Sequence, residues 1–160
     1  MKRARLATMI SAAVLAAVLS AHAQSKDPFV GTWTLNAAKS KYTPGPTPKS
    51  ITSVYEAAGR GYKVTVKNDT GGGVVQYTYT TYLDGKDSKV TGNNPNADTI
   101  GMRRIDARTL ESISKKNGKV TITQRSILST DGKTRTITTT GTDALGQKVH
   151  NVAVFERKES

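Results

Sequence analysis

The sequence predicts an all-β domain: an antiparallel up-and-down meander of about ten strands, closed into a barrel and preceded by an N-terminal signal peptide. Three observations carry that reading. From Gln24 onward the chain holds 22 Thr, 11 Val and 7 Ile among 137 residues, against 5 Leu. Branching at Cβ restricts χ1 and suits a pleated sheet better than a helix. No stretch keeps a 3.6-residue apolar period, whereas alternation at period two recurs along the chain. Turn dipeptides then punctuate the alternating runs at hairpin spacing.

The N-terminus explains itself first. Lys2, Arg3 and Arg5 make a positive start, a mostly apolar run from Leu6 to Leu19 follows, and Ala21 and Ala23 fit the small-residue cleavage pattern of a secretory leader. The apolar run is shorter than the ~20 residues that span a bilayer, so cleavage after Ala23 is expected rather than a permanent anchor. The expected layout is a leader over 1–23 and one domain over 24–160, exported to the periplasm or secreted. The alanine-rich leader points to a bacterium. Without the three leader cations, the 24 Lys+Arg and 12 Asp+Glu leave a mature charge of +9. A domain of this size buries roughly two-thirds of its unfolded surface and folds without disulfides.

Strands are expected near 29–36, 49–58, 61–68, 73–83, 87–91, 98–105, 108–116, 119–130, 133–140 and 147–157. Tyr62, Val64 and Val66 share a face, with Lys63, Thr65 and Lys67 opposite. Val75, Tyr77, Tyr79, Thr81 and Leu83 form a second stripe, and Val120, Ile122 and Gln124 oppose Thr121, Thr123 and Arg125. Asp84-Gly85-Lys86, Asn117-Gly118-Lys119 and Asp131-Gly132-Lys133 supply turns that tolerate positive φ. Ala58 to Gly61, Asp69 to Gly73, Asp106 to Arg108 and Gly141 to Gly146 supply the other reversals. Pro44, Pro46 and Pro48 exclude a regular strand or long helix there, although Ala37 to Lys41 has room for one turn. Closing such a meander removes its exposed edges.

Phe29-Val30-Gly31-Thr32-Trp33-Thr34-Leu35 resembles the opening G-x-W strand of the lipocalins and fatty-acid-binding proteins, and Asn151 to Lys158 resembles the last barrel strand of the latter. The whole mature chain is similar to bacterial lipocalin-like secreted proteins of uncharacterised function. The shared segments are Gly31 to Asn36, Lys39 to Lys41, Pro44 to Pro48, Pro95 to Thr99 and the N-V-A-V-F-E ending. The resemblance implies a calycin barrel with Gly31 and Trp33 as its end plug. It carries over less well to fatty-acid binding. Pro44 to Pro48 leaves no room for a helical lid, and Ala153 and Phe155 stand where that group places an Arg and a Tyr on the lipid carboxylate.

Chemistry-bearing residues are few. Cys is absent, which excludes disulfides, thiolate nucleophiles and Cys-ligated metals. His150 is the one histidine left after the leader, too little for a haem site or a Ser-His-Asp triad, and no G-x-S-x-G accompanies it. Asp69 to Gly73 lacks the Gly-Lys-Ser/Thr of a phosphate loop. Asn93 to Asp98 lacks the spacing of a calcium loop. Neither a cofactor nor a metal is expected, and the chain is read as no enzyme. Scattered basic residues, many at turns, argue against nucleic acid.

Tyr77 and Tyr79 are candidates for an amphipathic pocket wall, against ordinary strand packing. Arg104 and Arg125 sit inside strands, where a guanidinium clamps an anion or simply faces solvent. Asn151 and Phe155 complete the candidate lining. The leading expectation is a monomeric, exported carrier of a small apolar or amphipathic molecule. The alternative is a cell-envelope interaction module whose barrel is filled by side chains and which works through its basic surface.

Overall fold

The computed structural model describes residues 27–159. The expected leader lies outside that range. Within it the chain is built of strands: β1 Gly31–Leu35, β2 Ser50–Ala58, β3 Gly61–Asp69, β4 Val74–Thr81, β5 Asp84–Lys89, β6 Thr91–Gly92, β7 Thr99–Asp106, β8 Thr109–Lys116, β9 Lys119–Leu128, β10 Thr134–Thr142 and β11 Lys148–Arg157. A single 3-10 turn, Ala37–Lys39, follows β1. No helix among the described residues is long and apolar enough to cross a membrane.

The eleven strands form one antiparallel sheet in the order β5-β7-β8-β9-β10-β11-β1-β2-β3-β4-β6. Its two terminal members are consecutive in the chain. β5 pairs with β7, and only Val90 separates it from β6, which pairs with β4 through Tyr77 opposite Gly92 and Thr78 opposite Thr91. The path from Asp84 to Gly92 is therefore one bent strand, and it nearly closes the sheet into a barrel of ten staves. Closure at the other seam is made by β1, which pairs with both β2 and β11. The segment after the 3-10 turn prolongs that seam, with Lys41 and Val152 exchanging backbone hydrogen bonds at 2.8 Å. The residues leading into the prolines, Lys41 to Thr43, thus run along β11.

Strand bounds agree with the alternation to within about two residues, with two instructive differences. Asp84-Gly85-Lys86 is not the reversal after β4. The chain turns one step earlier, at Tyr82-Leu83, where Leu83 takes φ 63°, and Asp84 to Asp87 becomes a β-bulge. The bulge brings the Gly85 carbonyl 2.6 Å from where a Cβ on Gly101 would stand, so the turn signal was used for a close backbone approach. Gly141 likewise belongs to β10 and not to the following turn.

Inward-facing positions follow parity: Tyr62, Val64 and Val66 on β3; Val75, Tyr77, Tyr79 and Thr81 on β4; Ile122 and Gln124 on β9. Val120 escapes its stripe, being 59% exposed beyond the bulge opposite Ser114 and Lys115. Hairpins 59–60, 82–83, 107–108 and 129–133, with residues 27–30, cluster at one end of the barrel. Loops 70–73, 93–98, 117–118 and 143–147 lie at the other.

Gly141 is fixed by geometry. It has φ +140°, and a Cβ there would stand 2.0 Å from the carbonyl oxygen of Thr121 on the neighbouring strand. Backbone cannot yield as a side chain does. Gly141→Ala is expected to lower stability by about 2–4 kcal/mol, seen as a lower midpoint in urea unfolding.

Candidate functional site

One end of the barrel is shut. Trp33 is fully buried, and its Nε1 donates to the carbonyl of Phe29 at 2.9 Å, folding residues 27–30 back across the opening. Arg157 on the last strand lies over the indole at 4.3 Å. Its Nε donates to the Gly132 carbonyl at 2.9 Å and its Nη1 to the Val30 carbonyl at 2.7 Å, while Nη2 donates to the Pro28 carbonyl. Burial is the main influence lowering the Arg157 pKa, and the nearby charge of Arg135 adds to it. Gly31 makes room for this arrangement, since a Cβ there would meet Arg157 Nη1 at 2.5 Å. Gly31 and Trp33 both lie at this closed end.

Arg104 belongs to the same end. Its Nη2 donates to Asp27 Oδ2 at 2.6 Å and to the Tyr62 hydroxyl, and its guanidinium lies over Phe29 at 5.5 Å. Asp27 already compensates its charge, and the side chain does not reach the cavity wall. Arg125 points outward: its side chain is half exposed, 4.0 Å from the Glu111 carboxylate on β8. Outward parity there is shared by Ile127, itself 49% exposed, which is why an apolar neighbour gave no guide to facing. His150 is also exposed on the outer face.

Above the plug the interior holds a cavity of about 350 Å³, near the lower end of the range for small-molecule pockets. Tyr77, Tyr79, Asn151 and Phe155 all line it. The Tyr77 and Tyr79 rings lie nearly parallel, 6.4 Å apart, as successive inward residues of β4. Asn151 sits near the mouth, where its Oδ1 accepts the Thr43 N–H at 3.0 Å and ties down the proline-containing segment. Apolar walls come from Ile51, Val66, Ile100 and Ile137, and polar patches from Ser53, Ser114, Gln124 and Thr139. Gln124 Nε2 donates to Thr139 Oγ1 at 3.2 Å.

The loop 93–98 partly roofs the mouth. Asn96 Oδ1 accepts the Ala144 N–H at 2.8 Å, Thr121 donates to the Asn96 carbonyl at 2.6 Å, and Asp98 Oδ2 accepts the Asn117 N–H at 2.8 Å. Its side-chain oxygens therefore tie it to the neighbouring loops. Asp69 to Gly73 is a plain hairpin, closed by Asp69 Oδ1 accepting the Gly71 N–H at 2.8 Å. Among the described residues no three His, Asp or Glu side chains converge as a metal site would require.

The largest departure from the sequence reading is Arg135. It lies on β10 beside the cavity, 1% exposed, enclosed by the rings of Tyr55 at 4.5 Å, Trp33 at 5.1 Å and Phe155 at 5.3 Å. Its parity with Ile137 was the available signal. The threonines at 134, 136 and 138 to 140 hid it by making both faces of β10 look alike. The β4 tyrosines and the interior arginine thus meet in one chamber.

No family model, curated protein or solved structure matches the chain. The architecture itself is an all-strand, nearly closed antiparallel barrel compatible with a calycin-like fold.

Burial pushes the Tyr42 phenol up to about 12, and it pushes the Tyr77 phenol higher still. Tyr79 is raised in the same direction, chiefly by burial and then by Tyr55. A group with a raised folded pKa stabilises the native state fully below its unfolded value of 10.0 and loses that contribution as pH rises towards the folded value. Stability attributable to these phenols should hold to about pH 10 and fall above it. Tyrosinate absorbance followed alongside circular dichroism checks this: the buried phenols should ionise only as the sheet unfolds. A second outcome concerns the plug. Arg157→Ala strands three carbonyls and is expected to cost about 3–5 kcal/mol. Arg157→Lys should recover little, because an ammonium lacks the fork.

Proposed function

We propose that this protein is an exported, non-enzymatic carrier of the lipocalin-like class that holds a small amphipathic molecule inside its barrel. The single observation that carries the reading is the 350 Å³ chamber, closed at the Trp33 end and walled by both apolar and polar side chains. Apolar walls give a ligand burial at ~25 cal/mol per Å² of apolar surface. A few fixed polar groups orient it. The side-chain-filled barrel needed by a purely structural envelope module is a poorer account of such a void. Export rests on the leader pattern of residues 1–23, and the non-enzymatic reading rests on the lack of Cys and on His150 being the one histidine after the leader.

Ala153 is a direct handle, being 4% exposed and part of the wall. Ala153→Phe places a ring in the void. It is expected to keep the β-sheet spectrum while weakening an apolar fluorescent reporter at least about tenfold, or ~1.4 kcal/mol. Native mass spectrometry of the mature protein purified from its own host should show a small co-purifying mass that the variant lacks. Unchanged reporter binding in Ala153→Phe would remove the chamber as the site.

A further inference from the structure

Arg135 is a buried cation whose hydrogen-bonding capacity is mostly unused. Nη2 donates to Ser53 Oγ at 2.9 Å. The N–H of Nε and both N–H groups of Nη1 have no acceptor. The rings of Tyr55, Trp33 and Phe155 attract the cation through their quadrupoles but offer nothing to donors lying in the guanidinium plane. No carboxylate among the described residues lies within 4.0 Å of it. Asp143 is the one acidic residue on the chamber wall. It stands in a turn at the mouth, where its Oδ1 accepts the N–H groups of Leu145 and Gln147 at 2.9 Å. The phenols of Tyr77 and Tyr79 stay neutral because burial raises them, so they add no negative charge. A second cation is near, since Arg157 shares the Trp33 ring.

Removing an ion from water is costly unless a counter-charge or a full set of acceptors replaces the hydration, and this site supplies neither from its own side chains. Contrast sharpens the point: Arg104 has Asp27, and Arg157 has three carbonyls. Arg135 alone of the three faces a void.

We propose that Arg135 anchors the carboxylate of a small single-chain amphiphile, taking the head group at the inner end of the chamber while the apolar body runs towards the mouth. This rests on the chamber being the binding site. The carboxylate takes one edge of the guanidinium, Nε with Nη2 or Nη1 with Nη2, whichever the Ser53 bond leaves open, and so satisfies donors that now lack acceptors. A planar two-oxygen acceptor suits the guanidinium fork. The body lies along Ile137, Val66 and Tyr77. At about 30 Å³ per non-hydrogen atom, the volume of a liquid water, the chamber takes roughly ten to twelve such atoms, which sets the probe length.

The test is calorimetric titration of the mature protein with octanoate, octan-1-ol and octylammonium, in wild type and in Arg135→Met. Wild type should bind octanoate roughly 10–100-fold more tightly than octanol, and octylammonium more weakly than octanol. Arg135→Met should keep octanol binding, lose the octanoate preference, and melt no lower than wild type, because it deletes an unpaired buried charge. If that variant fails to fold, the order of the three probes in wild type decides. Octanol binding with no carboxylate preference, or a preference that survives in Arg135→Met, overturns the anchor and leaves the chamber reading standing. If no probe binds and none displaces the apolar reporter, both fall.

Discussion

The contact between Arg157 and Trp33 is the constraint on which the rest of the molecule depends. It joins the first strand to the last across a sequence separation of more than a hundred residues, at the seam where β1 and β11 share only three paired positions. Ladder hydrogen bonds alone make that seam weak. The guanidinium compensates by stacking on the indole and by holding three carbonyls of the plug and the β9–β10 turn. With the seam held, the N-terminal segment folds across the barrel end and the interior becomes blind. A cavity open at both ends would be a wet channel. Shut at one, it has an inner end where polarity departs from bulk water.

Three arginines at that end show how the same side chain takes opposite parts according to what meets its N–H groups. Arg157 spends its donors on backbone and fixes the fold. Arg104 spends its charge on Asp27 and pins residues 27–30 from the other side. Arg135 sits between aromatic rings with acceptors missing. In a low-dielectric interior the first two arrangements are self-sufficient and the third is not.

Much of the fold was legible in the sequence because β-sheet periodicity is a local property. Val75, Tyr77, Tyr79 and Thr81 announce their facing by alternation, and Asn117-Gly118 announces its turn by the φ angles only those residues accept readily. Closure was legible less directly, through the edges an open meander would leave. What stayed hidden is non-local. The facing of Arg125 follows from the register that sets it opposite Glu111 on β8, where Ile127 also points out. Arg104 looked like an anion clamp because it lies inside a strand and not at a turn, whereas its partner Asp27 lies 77 residues away. The reversal at Tyr82-Leu83 was masked by a stronger turn signal at Asp84-Gly85, which the chain uses as a bulge. Arg135 was lost among threonines that suit either face of a strand.

The void itself has a sequence origin that hydrophobic patterning does not reveal. Inward positions on β8 and β9 include Ser112, Ser114 and Ser126, with Ser53 facing them from β2 and Thr139 from β10, all buried. These side chains are short, and each occupies a site where a barrel built only for stability would carry Leu, Ile or Phe. Ser53, Ser114 and Thr139 among them line the chamber, where their small volume leaves space and their hydroxyls keep the wall polar in patches, as the Gln124–Thr139 bond shows. The fully buried aromatics Trp33, Phe29 and Tyr62 fill the barrel below it. The chain thus separates two tasks along the barrel axis. Packing density at one end carries the stability, and small polar residues above it leave space that the fold alone does not need.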